Sequence, residues 1–182
     1  MKLVEGIEMT DFSYTTIDGT YKSFRAQLNN DYTVILFLRH YGCGMSQLDM
    51  LKYRDAYQFL QRKGVDVFMV IQEPTETIAE KAAKANIPFP IISDPEQILY
   101  QLFEIPSSES VRKLVAGVSE EKLNEMIDYG IDCYQVEGNE LQLQATVAFN
   151  RSGQVVYSHY AENISDVPSP TELVERLEAS LA

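Results

Sequence analysis

The chain is short of every residue type that would serve a metal centre, a disulfide scaffold or a nucleic-acid surface. Only two cysteines, Cys43 and Cys133, and two histidines, His40 and His159, occur in 182 residues. No close Cys/His pair has zinc-ligand spacing, so neither a metal nor any other cofactor is implied. Two thiols do not make a disulfide framework, and they fit a reducing compartment, where cysteines are catalytic, metal-binding or simply buried. Basic residues are also scarce: 15 Lys and Arg against 27 Asp and Glu leave a formal net charge of −12. That balance excludes a polyanion such as DNA, or an acidic membrane surface, as partner. Long apolar runs are missing as well. None reaches the roughly 18 residues of a membrane-spanning helix, and the opening MKLVEGIEMT has no apolar core of a secretory signal. The expectation is a cytoplasmic protein.

What is present is ample apolar material, 45% of the residues, with no repeat, low-complexity tract or linker. Length and composition together predict one domain over residues 1–182 with a proper core. The stretch DFSYTTIDGTYKSF alternates polar and apolar residues around Asp18-Gly19, which predicts a short N-terminal β-hairpin. YTVILFL reads as a strand covered on both faces. SQLDMLKYRDAYQFLQRKG places Leu48, Leu51, Tyr57 and Leu60 at helical spacing and stops at Lys63-Gly64.

VDVFMVIQ is a second buried strand, TETIAEKAAKAN a helix with Ile78, Ala82 and Ala85 on one side, and FPIISD a third strand. Asp94-Pro95 then reads as an N-cap followed by a first-turn proline opening the helix PEQILYQLF. Residues 106–141 carry a weaker pattern, in which Ser119 caps a helix EEKLNEMIDY closed by Gly130. LQATVAF, NRSG and QVVYSHY form a strand, turn and strand. Ser169, Pro170 and Glu172 open a last helix with cap, first-turn proline and capping-box partner. The alternation of strands and helices predicts an α/β fold with a parallel core, helical crossovers and a closing antiparallel hairpin.

Chemistry concentrates at FLRHYGCGMSQLDML. A residue at the carboxyl end of a parallel strand, where the chain turns into a helix, faces the crevice in which such sheets bind ligands. Cys43 holds that place. With the helix starting near Gly44 to Ser46, free N–H groups and the positive dipole end favour the thiolate, and Arg39 and a partly protonated His40 push the same way. As a small, readily buried residue, Cys43 fits a packed core position equally well. Arg39 either puts a charge beside the thiol or lies over apolar neighbours with its head in solvent. His40 either acts as base or thiolate partner or turns its ring away. Ser46 stands where a Cys-x-x-Cys motif would have its second thiol, and caps the helix or hydrogen-bonds the thiolate.

That segment resembles the active-site segment of peroxiredoxin-like proteins of the alkyl hydroperoxide reductase/thiol-specific antioxidant (AhpC/TSA) family. NIPFPIISDPEQILYQLFEI is similar to the family's Pro-Phe-Pro and Ser-Asp-Pro stretch, and EGNELQLQATVAFNRSGQVVYSHY to its closing hairpin. The resemblance implies a thioredoxin-like three-layer sandwich with a central mixed sheet, and Cys43 as the attacking thiol, with Ser46 in the place of a second cysteine. Three positions depart from the family pattern. Leu36 and His40 occupy the proline and threonine places of Pro-x-x-x-Thr-x-x-Cys. Gln144 occupies the cis-proline place, and no arginine is evident in its neighbourhood.

The function this implies is a thiol-dependent oxidoreductase in which Cys43 attacks a small peroxide or a mixed disulfide. The oxidised thiol would then be reduced by a low-molecular-weight thiol or another external reductant. The alternative is a redox-inactive thioredoxin-fold module that binds a protein or peptide. Cys133, in YGIDCYQVEG, is a candidate resolving thiol, although its apolar and aromatic surroundings favour a buried structural role. A homodimer is common in the resembling family.

Overall fold

The computed structural model describes residues 1–135 and 137–180. Its centre is a mixed sheet built from β1 (Tyr14–Thr16), β2 (Gly19–Tyr21), β3 (Tyr32–Phe37), β4 (Val65–Ile71), β5 (Ile91–Ser93), β6 (Ala145–Asn150) and β7 (Val155–Tyr160), in the order β2-β1-β5-β4-β3-β6-β7. β3, β4 and β5 run parallel. The hairpins β1/β2 and β6/β7 add antiparallel edges on either side.

Alternation along the central strands sorts side chains to two cores. Val34 and Leu36 of β3, with Val67, Met69 and Ile71 of β4, face α1 (Gly44–Asp55), α2 (Tyr57–Arg62), α3 (Thr75–Lys84) and α7 (Pro170–Ala179). Ile35, Phe37, Phe68 and Val70 face the N-terminal segment and α4 (Ile98–Leu102). Burial on both faces explains why β3 is apolar throughout. The second core is aromatic: Phe12 stacks on Phe24 at 4.8 Å, and Phe24 meets Phe68 edge-on at 5.0 Å. Such pairs add about 0.5–1.5 kcal/mol each beyond the area they bury. The result is the expected three-layer sandwich with its N-terminal hairpin.

Most caps stand where the sequence puts them. Ser119 accepts from Lys122 N–H at the start of α6 (Glu120–Asp128), Gly130 follows with φ +64°, and Ser169 and Glu172 form a full capping box on α7. Two elements differ from expectation. The helix after the cysteine turn is interrupted at Ala56, where ψ is 1°, into α1 and α2. The helix expected from Pro95 begins only at Ile98, because Asp94 to Gln97 first make a turn that ends with Gln97 in the left-handed region, φ +57°. Asp94 still caps it, accepting from Ile98 and Leu99 N–H at 2.9 and 2.8 Å. Among the described residues no helix is long and apolar enough to cross a membrane.

α1 buries nearly its whole first half, residues 44–50, including the charged Asp49. Asp49 is 7% exposed and its Oδ2 has no hydrogen-bond partner. Burial is the main cause that pushes its carboxyl up to about 7, against the smaller pull of Lys122 and Lys52. A proton held in the folded chain but released from the unfolded one near the ordinary carboxylate value makes rising pH costly to the fold. The advantage of the Asp49→Asn variant over wild type should therefore grow with pH, by about 4 kcal/mol between about pH 4 and pH 7 and no further above. Denaturant midpoints across that range test this; a difference independent of pH would contradict it.

Candidate active site

β3 delivers the site. Beyond Phe37 the chain keeps step with β4, Leu38 N–H donating to Val70 C=O at 2.9 Å and Gln72 N–H to Arg39 C=O at 3.2 Å. It then turns, with Cys43 N–H donating to His40 C=O at 3.1 Å, and enters α1. Cys43 is the N-cap of that helix, extended at φ −77° and ψ 118°, and its carbonyl accepts the helix's first bond from Gln47. Its side chain makes no capping bond. Sγ is thus left at a helix N-terminus, where anions are favoured. The residue is 7% exposed and packs in a small apolar cluster with Met45, Leu48, Leu114, Leu143 and Ile164.

Arg39 is the decisive neighbour. Its Nη1 donates to Cys43 Sγ at 3.0 Å, its Nε to Gln142 C=O at 3.0 Å, and its Nη2 to Glu140 C=O. The side chain is 7% exposed and, among the described residues, forms no ion pair. A buried cation without a counter-charge costs several kcal/mol, and two carbonyl dipoles answer only part of that. Negative charge developing on Cys43 Sγ would meet this guanidinium directly. The alternative of a surface arginine lying over apolar neighbours does not describe this residue.

Other expected residues are placed differently. His40 is buried with Nδ1 unpartnered, and burial first, then the charges of Arg39 and Lys81, lowers its pKa to about 4. Near neutral pH it is uncharged, so the expected partly protonated His40 is corrected: it brings a neutral imidazole. Ser46 neither caps α1 nor bonds the thiol. Its buried Oγ accepts from Arg39 N–H at 3.1 Å and fixes the backbone that carries the guanidinium. Gln144 is fully buried at the head of β6, donating from Nε2 to Ile164 C=O at 2.8 Å. Cys133 is exposed, not buried. Its Sγ lies against the backbone of Gly44, only 2.6 Å from where a Cβ there would stand.

Several contributors gave no sequence signal. Gln142 and Glu140 act through carbonyls, which every residue has. The segment around Cys133 is tied over the turn by backbone and long side chains: Tyr134 N–H donates to Gly42 C=O at 3.1 Å and Gln47 Nε2 to Asp132 C=O at 2.8 Å. Lys81, with its ammonium 4.2 Å from the Tyr134 ring centroid, reaches Glu73 Oε2 at 3.5 Å, while Glu73 Oε1 accepts from Tyr41 N–H at 2.7 Å. Glu73 is fully buried. An acidic residue directly after the apolar run VDVFMVIQ is the feature of the sequence that points to it. Among the described residues no cluster of side chains could hold a metal ion.

The family model described as the AhpC/TSA family matches residues 6–158. The chain belongs to that family, and with Cys43 in the place of its attacking thiol it is a peroxiredoxin-like, thiol-dependent oxidoreductase. No curated protein matches it by sequence. Among solved structures it is similar to the peroxidoxin BcpB of Mycobacterium tuberculosis, at 13% identity and a TM-score of 0.70 over 97% of both chains. It is also similar to a mutant of PrxQ from Xylella fastidiosa, at 14% identity and a TM-score of 0.72 over 100% of this chain and 99% of that one. AhpC of Enterococcus faecalis gives 15% identity and 0.68 over 100% and 93%. At these identities the likeness establishes the thioredoxin-like fold.

Removing the guanidinium should expose how much the thiolate depends on it. A charge-assisted hydrogen bond of this kind contributes about 1.5–3 kcal/mol, so Arg39→Gln should slow alkylation of Cys43 by iodoacetamide near neutral pH by at least about tenfold. Arg39→Lys should fall between. Equal rates in all three proteins would remove Arg39 from thiolate stabilisation.

Proposed function

We propose that the chain reduces hydroperoxides through a Cys43 sulfenic acid, and that Arg39, His40 and Cys133 serve successive steps. The observation that carries this reading is the buried Arg39 guanidinium on Cys43 Sγ with no carboxylate to neutralise it. The thiolate attacks the terminal oxygen of the peroxide; the S–O bond forms as the O–O bond breaks, and the departing alkoxide takes a proton to leave as an alcohol or water. Arg39 stabilises negative charge first on sulfur and then on the transferring oxygen. Neutral His40, in the family's threonine place, offers its unpartnered ring nitrogen as the polar contact to the peroxide.

The sulfenic acid then condenses with a second thiol, forming a disulfide and releasing water. Cys133 is the internal candidate, supported by its Sγ against Gly44, next in sequence to the attacking residue. An external low-molecular-weight thiol or protein dithiol regenerates the reduced enzyme. The two free thiols and acidic surface fit a reducing, cytoplasmic setting. A homodimer would find apolar surface to cover at Val111 and Ile127, 62% and 74% exposed.

Peroxide consumption with a thiol reductant should vanish in Cys43→Ser. Intact mass after one equivalent of peroxide should show an internal disulfide in wild type, and sulfenic or sulfinic acid or a mixed disulfide at Cys43 in Cys133→Ser. Undiminished turnover in Cys43→Ser would end the proposal; wild type showing the same sulfenic or sulfinic product as Cys133→Ser, with no internal disulfide, would leave reduction to the external thiol alone. His40→Ala should lower the rate with peroxide while sparing the alkylation rate. A matching fall in both would assign His40 to the thiolate instead.

A further inference from the structure

Away from Cys43, a cleft of about 760 Å³ opens between α1, α6, β7 and α7. Its size suits a small molecule, and its lining is polar, with six carboxylates against three Lys and Arg side chains. Most of these charges are already paired. Lys52 holds Glu125 at 2.7 Å, His159 meets Asp166 at 2.9 Å, Lys122 donates to Ser165 C=O, and Glu172 is committed to the α7 capping box. Asp49 is set apart by burial: it lines the cleft, is only 7% exposed, and has an oxygen with no hydrogen-bond partner, whereas the other cleft charges without a partner lie nearer solvent. An unanswered buried carboxylate at the foot of an open, acid-rich cleft is a ready acceptor for a cationic donor.

We propose that this cleft is a binding site for a small organic cation bearing primary ammonium groups, one of them seated on Asp49. An ammonium brings three donors to an oxygen that has none, and a charge closer than those of Lys52 and Lys122. The surplus of carboxylates along the walls favours a ligand with a second amine over a zwitterion. A bare metal ion is disfavoured, since no set of three ligating side chains converges among the described residues. Occupancy would bridge α1 to α6, the helix whose far end leads into the segment carrying Cys133. The site is separate from the thiol chemistry and stands whether or not Cys43 reduces peroxide.

Calorimetric titration near pH 8 with putrescine, and with succinate as a control of similar length and opposite charge, tests the assignment. Putrescine should bind wild type and Cys43→Ser alike, Asp49→Asn should bind at least about tenfold more weakly, and succinate should give no heat of binding. In wild type, amide shifts on adding putrescine should centre on α1, α6 and α7 around Asp49. This mapping on the unaltered chain decides the matter independently of the variant. Absent binding in wild type, equal affinity in Asp49→Asn, or shifts centred elsewhere would each overturn the proposal.

Discussion

A positive charge held out of water on a sulfur atom is the constraint from which the site follows. The guanidinium of Arg39 spans three parts of the chain: its own strand end after β3, the N-cap of α1, and the carbonyls of Glu140 and Gln142 ahead of β6. The carbonyl arm is itself braced. Gln142 is 2% exposed; its amide donates to the carbonyls of Ile105, Pro106 and Leu143 and accepts from Gln97 at 2.7 Å. Ser46 fixes the arginine backbone from the other side. A buried cation is tolerated only when its donors are answered in fixed geometry, and here those answers couple the thiol to the loops on both sides of the crevice.

This arrangement changes how the departures from the family pattern are understood. The usual threonine is replaced by a histidine that burial keeps neutral, and no arginine stands in the Gln144 neighbourhood. The positive charge is instead four residues before the cysteine, on the same strand–turn–helix unit. Gln144 takes a supporting part, holding the Ile164 carbonyl whose residue packs in the Cys43 cluster. A family motif read position by position reports this as loss; the geometry shows a charge brought to the same sulfur from a different place in the chain.

α1 has two chemically distinct ends of influence. Its N-cap carries the thiol, covered by Cys133 and Tyr134, and Gly44 is small enough to admit both Cys133 and the Met126 side chain of α6. One turn and a half further along, Asp49 lines a separate polar cleft. α6 touches both regions, with Met126 toward the thiol and Lys122 and Glu125 toward the cleft. The Lys52–Glu125 pair and the Tyr129 hydroxyl on Asp55, at 2.6 Å, keep α6 on α1.

Periodicity, caps and turns made the sheet and most of the helices legible in the amino-acid sequence, because those signals are local: the apolar run of β3, Ser119 and Gly130 around α6, the capping box at Ser169. The late start of α4 was hidden, since an aspartate followed by proline opens a turn as readily as a helix. The sequence by itself also determined that Cys43 stands at a strand-to-helix turn. It left open where Arg39 and His40 point, whether Ser46 meets the thiol, and whether Cys133 is inside or outside. Those were decided by tertiary structure alone, because the burial and the hydrogen bonds that hold Arg39 come from residues about 100 positions away, and two of the groups that fix it are backbone carbonyls that no residue type announces.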